Sequence, residues 1–125
     1  MSIFRKQLGD AGEAAAVALL RRSGYRIVAR NWSCPSGELD IVARRKKLYV
    51  FVEVRTRKTD ADAHPLQSVT RPKQLRVISA AKRFLREKKL FDVEYRFDVI
   101  AIVWGEGPRP EKIEHHENAF REGRG

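Results

Sequence analysis

A chain of 125 residues has the length of one domain, enough for a single core of sheet and helices and one site. Lysine and arginine outnumber aspartate and glutamate by 26 to 16, for a net charge of +10, and a hydrophobic content of 42% excludes a disordered chain. That charge directs expectation to polyanions, nucleic acid ahead of an anionic membrane surface, and the single cysteine, Cys34, excludes an internal disulfide and a thiolate metal cluster.

The first expected element is a helix from Gly9 to Arg22, "GDAGEAAAVALLRR", with Asp10 and Glu13 near its start, Arg21 and Arg22 at its end and Gly24 as its stop. At about 100° per residue Glu13 falls beside Ala16, Val17 and Leu20, at the border of the buried stripe. The apolar run from Ala14 to Leu20 is too short to cross a bilayer, and no cleavage-like site follows it. Neither a signal peptide nor a membrane span is expected, and the sparing use of cysteine fits a cytoplasmic protein.

Three strands follow. "YRIVARNW" alternates apolar and basic residues, "GELDIVAR" comes after a Pro35-Ser36-Gly37 turn, and "KLYVFVEVRTR" comes after a polar break at Arg44 to Lys47. Short turns between them predict an antiparallel meander. Residues 57 to 70 carry no periodicity and read as a mobile loop. A Thr70 cap, Pro72 in the first turn and apolar residues at Leu75, Ile78, Ala81 and Leu85 mark a second, amphipathic helix. A strand "YRFDVIAIVW" and a short "KIEHHE" strand close the domain, with flexible tails expected at residues 1–8 and 121–125.

The carboxylates are what the sheet pattern does not explain. Period-two alternation puts Glu38, Asp40 and Val42 on one face of the second strand, and Tyr49, Phe51, Glu53 and Arg55 on one face of the third. Pairing the start of one strand with the end of the other would bring Asp40 and Glu53 to one cation, which would relieve the repulsion between them. Two ordinary readings compete with this: Asp40 as a turn cap, and Glu53 as the ion-pair partner of Arg55. Oxygen ligands without Cys or His favour Mg²⁺ or Mn²⁺ over Zn²⁺. His115 and His116 are adjacent on a strand and face opposite ways, which argues against a shared metal. Lys73, Arg76 and Arg83 share one face of the second helix, either as a solvated charged face or as contacts to phosphates, and Arg57 extends the basic set on the third strand.

In order, Glu13, "GELD" with Asp40, and "FVEVR" with Glu53 and Arg55 resemble the acid, Asp, Glu-x-Lys pattern of the PD-(D/E)XK nuclease superfamily. As a set, "GDAGEAAAVALLRRSGYRIVARNW", "GELDIV", "VFVEVRTR", "SVTRPKQLRVISAA", "RFDVIAIV" and "ENAF" resemble the YraN-like family of uncharacterised bacterial proteins, over about residues 9 to 120. The resemblance implies a restriction-endonuclease-like α/β fold, a mixed central sheet flanked by helices in the order α-β-β-β-α-β-β, akin to archaeal Holliday-junction resolvases.

By position, the resemblance implies that Asp40 and Glu53 bind metal, that Glu13 assists, and that Arg55 stands where the superfamily has lysine. It also implies that Lys73 contacts phosphate. The departure at Arg55 bears on the chemistry, because arginine stays protonated and cannot act as a general base. The expected function is therefore a Mg²⁺- or Mn²⁺-dependent endonuclease acting on DNA, including branched or structured DNA. The alternative is a nucleic-acid-binding protein that keeps the fold without catalysis. Symmetric cutting of two strands would take a homodimer.

Overall fold

The computed structural model describes residues 3–59 and 69–123. Its elements are α1 (Ile3–Arg22), β1 (Arg26–Cys34), β2 (Gly37–Arg45), β3 (Leu48–Lys58), α2 (Arg71–Glu87), β4 (Glu94–Trp104) and β5 (Pro110–Phe120). The strands form one sheet in the order β1-β2-β3-β4-β5. β1, β2 and β3 make the expected antiparallel meander, β3 and β4 run parallel, and β5 returns antiparallel to β4. This is the mixed α/β sheet with helices that the resemblance implies, in the element order read from the residue pattern.

The alternation in β3 assigns a helix to each face of the sheet. Tyr49 and Phe51 join Val77, Ile78, Ala81, Phe84 and Leu85 of α2 in one core, to which β4 adds Phe97 and Val99. Val50 and Val52 join Ala16, Val17 and Leu20 of α1 in the other, with Ile100 and Ile102 from β4. Two approaches between layers depend on glycine. A Cβ on Gly12 would stand 2.0 Å from Thr56 Oγ1, so α1 lies directly on β3. A Cβ on Gly37 would stand 2.8 Å from the carbonyl oxygen of Arg76, so the start of β2 lies against the backbone of α2.

Several expectations change. α1 begins at Ile3 rather than at Gly9, so Asp10 and Glu13 lie inside the helix and no acid occupies its first turn; Arg21 and Arg22 do end it. β3 continues through Lys58, and most of the loop expected from 57 to 70 lies outside the described residues. β5 runs for 11 residues, well beyond "KIEHHE". Leu39 packs in the α2-side core with Val42, whereas Ile41 and Ala43 pack on the α1 side, so strict alternation fails at the start of β2. Among the described residues no helix is long and apolar enough to cross a membrane.

Candidate active site

The irregular start of β2 is where the site forms. The ladder between β2 and β3 pairs Arg45 with Leu48 and continues to Ile41 opposite Val52, where it stops. In the same register Asp40 and Glu53 come next. Beyond the last rung, the backbone amide of Val54 donates to Asp40 Oδ2 at 2.9 Å, so a side-chain carboxylate takes the hydrogen bond that a strand carbonyl would otherwise accept. In place of the turn cap that is one ordinary reading of Asp40, its carboxylate ends a ladder.

Glu53 sits on the α2 face and is only 2% exposed. Arg55 Nη2 lies 2.9 Å from its Oε2, and Lys73 Nζ lies 3.5 Å from the same oxygen. Its other oxygen, Oε1, is buried and has no hydrogen-bond donor among the described residues. Burial raises the Glu53 carboxyl most, and the charge and hydrogen bonding of Asp40 raise it further. Arg55 and Lys73 pull the other way, and the balance lifts it from the ordinary 4.5 to about 8. Glu53 is thus held beside Asp40 at a place where burial and the neighbouring carboxylate favour its protonated form against the pull of Arg55 and Lys73.

Arg55 reaches Glu53 along β3, and Lys73 is positioned by α2. Thr70 caps the helix, its hydroxyl accepting from the Lys73 amide, and Pro72 occupies the first turn, where a missing N–H costs nothing. With α2 laid against Gly37, Lys73 reaches Glu53 and also shares with Arg76 a cavity of about 380 Å³. The turn between β1 and β2, from Ser33 to Gly37, and Glu38 line its other side. Arg55 keeps a buried Nε without an acceptor among the described residues.

Other anticipated site residues are engaged elsewhere. Glu13 accepts from Arg30 Nε at 2.8 Å and from the Asn31 side chain at 3.1 Å, both on β1. Among the described residues no group of three or more His, Cys, Asp and Glu side chains forms a metal cage, so Glu13 does not complete one with Asp40 and Glu53. Arg83 pairs with Glu87 one turn along α2 at 3.1 Å. Arg76 is exposed, and Arg57 lies two positions beyond Arg55 on β3.

A second buried acid was not singled out by the pattern. Asp98, fully buried on β4, accepts from Arg96 Nε at 2.9 Å, from the Asn118 amide at 2.9 Å, and bonds His115 Nε2 at 2.7 Å. Arg96 also donates to the Tyr25 hydroxyl at 2.7 Å. A carboxylate within the apolar run "FDVIAIV" was the available signal. Its partners on β5 lie too far along the chain to be read from periodicity.

Comparison with known proteins decides the family. The family model described as "Uncharacterised protein family UPF0102" matches residues 12–102. The chain belongs to UPF0102. It is 47% identical over 117 residues to a UPF0102 protein of Rhodopirellula baltica, covering 91% of this chain and 70% of that one. It is 49% identical over 119 residues to a UPF0102 protein of Geobacter sulfurreducens, covering 95% and 92%. To a UPF0102 protein of Moorella thermoacetica it is 42% identical over 120 residues, covering 96% and 100%. The UPF0102 match therefore includes Glu13, Asp40, Glu53, Arg55, Lys73 and Asp98.

Proposed function

We propose that this UPF0102 protein is a Mg²⁺- or Mn²⁺-dependent endonuclease of the PD-(D/E)XK type that hydrolyses phosphodiester bonds of DNA. The observation that carries the reading is the Asp40–Glu53 pair: two carboxylates at a broken ladder, one oxygen buried without a donor, in a chain of net charge +10. Structural ion pairs do not need an orphaned oxygen, whereas a divalent cation would take both carboxylates and complete its shell with water and phosphate oxygens.

A cation there would supply positive charge against the charge developing at phosphorus and would acidify water. The chain's own groups do the rest. Asp40 and Glu53 fix the position of that charge. Arg55, which stays protonated, offers its unpartnered Nε to a phosphate oxygen rather than removing a proton. With a cation held by Asp40 and Glu53, Lys73 would be available to a phosphate oxygen, and Arg76 and Arg57 would extend the basic track along the substrate.

The test is incubation of purified protein with single-stranded, duplex and four-way-junction DNA in Mg²⁺ or Mn²⁺, beside the Asp40→Asn variant. Metal-dependent cleavage that the variant loses is the expected result. Cleavage unchanged in the variant would remove Asp40 from the chemistry. The arginine at position 55 and the engagement of Glu13 by Arg30 favour a second reading, a nucleic-acid-binding protein without catalysis. That reading predicts binding of DNA that Asp40→Asn leaves equal or stronger, with no cleavage in any divalent metal.

A further inference from the structure

At the far end of β3 from the carboxylates lies a groove of about 760 Å³ between the β2–β3 turn and the connection from α2 to β4. Arg45, Lys46 and Lys47 form one wall, and Phe91, Asp92 and Glu94 form the other. Phe91 is 76% exposed. Its neighbours in the chain are treated differently: Leu90 and Val93 pack against the α2-side core. The connection therefore turns two apolar side chains inward and holds the largest one out in water, against the hydrophobic effect.

The two walls are tied together. The Glu94 amide donates to the Lys47 carbonyl at 3.1 Å. The guanidinium of Arg45 lies over the Tyr25 ring at 4.4 Å and donates to the Ser23 carbonyl. Lys46 holds a positive φ of 57°, which fixes the turn. The groove is thus built before anything enters it, and Lys88 and Lys89 at the end of α2 add charge just upstream of Phe91.

We infer that this groove binds an unpaired nucleotide of a nucleic-acid substrate, its base stacked on Phe91 and its phosphates on Lys46 and Lys47. The inference rests on the nucleic-acid reading given above and adds to it a preference for substrates with a single-stranded portion. Every base presents a π-face to an aromatic side chain, and lysines meet the backbone beside it. Asp92 and Glu94, which would oppose a bare phosphate, can accept from the exocyclic amines of a base. An acidic peptide would meet the same two carboxylates with nothing to gain from them. Glu53 lies about 16 Å further along β3 at roughly 3.3 Å per residue, so one strand can occupy the groove while another part of the substrate meets the carboxylates.

The experiment measures binding of a labelled single strand and a blunt duplex without divalent metal, for the wild type, Phe91→Ala and Phe91→Trp, with sedimentation of each protein alone. Phe91→Ala should weaken single-strand binding by about 5- to 150-fold and leave the duplex unchanged. Phe91→Trp should keep the affinity and lose indole emission when the strand binds. Changing Lys46 and Lys47 to Glu should lower the salt dependence of single-strand binding. If Phe91→Ala binds the single strand as the wild type does, the groove assignment fails while the nucleic-acid reading stands. If the wild type binds neither form, both fail. A wild-type dimer that Phe91→Ala dissociates would make the groove a contact between copies and overturn the inference.

Discussion

Asp40 Oδ2 accepts the backbone amide of Val54 at 2.9 Å. One carboxylate thereby ends a β-ladder and, from the same position, presses its charge on Glu53. The two roles separate by substitution. Asp40→Asn keeps an oxygen for the Val54 amide and removes the charge. Asp40→Ala removes both and leaves a half-buried donor unpaired, at a cost of about 1–3 kcal/mol. We expect chemical denaturation to find Asp40→Asn near wild-type stability and Asp40→Ala less stable, while both lose metal-dependent cleavage.

Glu53 should give the protein an unusual pH dependence. Its folded value is raised to about 8 from 4.5, chiefly by burial and then by Asp40. Between those values the folded chain holds a proton that the unfolded chain has released. Stability should therefore fall as pH rises from about 4.5 to about 8. Glu53→Gln, which cannot ionise, should flatten that part of the profile and gain on the wild type as pH rises. A divalent cation competes with the proton, so Mn²⁺ should raise the melting temperature more at pH 8.5 than at pH 6, and the variant should lose that response.

Asp98 has the opposite sign. Burial works to raise it, but His115, Arg96 and the Asn118 amide outweigh burial and hold it below the usual 3.8. Its contribution is present above about 3.8 and is lost as pH falls through the lower folded value. Asp98→Asn should cost about 3–5 kcal/mol near pH 7, because it leaves Arg96 with a diminished partner. The difference from wild type should shrink in acid, as equilibrium unfolding at a series of pH values would show.

Gly37 tests whether the seating of α2 positions Lys73. The obstruction to a Cβ there is the backbone oxygen of Arg76, which cannot rotate aside. Gly37→Ala should destabilise by about 1–3 kcal/mol, and by shifting the N-terminal half of α2 it should weaken the reach of Lys73 to Glu53. Gly12→Ala meets a side chain instead, Thr56, so Thr56→Ala should recover part of its loss. Melting curves of the single and double variants supply the comparison.

These relationships were unequally legible in the chain. The two faces of β3 follow from local alternation, and Val50 and Val52 against Tyr49 and Phe51 lie as the period requires. Asp40 and Glu53 were visible as acids in apolar runs, and the antiparallel hairpin brings them together. What failed depended on breaks in phase or on distant partners. Asn31 takes a φ of 51° in β1, and its side chain shares Glu13 with Arg30; no spacing in the sequence announces that contact. β5 is an edge strand whose charged residues hide its length, and it is tied down by Asp98 on β4. Gly9 reads locally as a boundary, although α1 runs through it from Ile3.

The parallel pairing of β3 with β4 also sets an order of assembly. Asp40 and Glu53 meet inside one antiparallel hairpin, a contact between near neighbours in the chain. Lys73 arrives only when α2 packs, and β4 joins β3 only after the long connection through α2 closes. The contact between the acids should thus form before the helix that moderates them packs. During folding the two acids therefore pair while the hairpin is still open to water, and refolding speed, as well as final stability, should respond to substitution at either position.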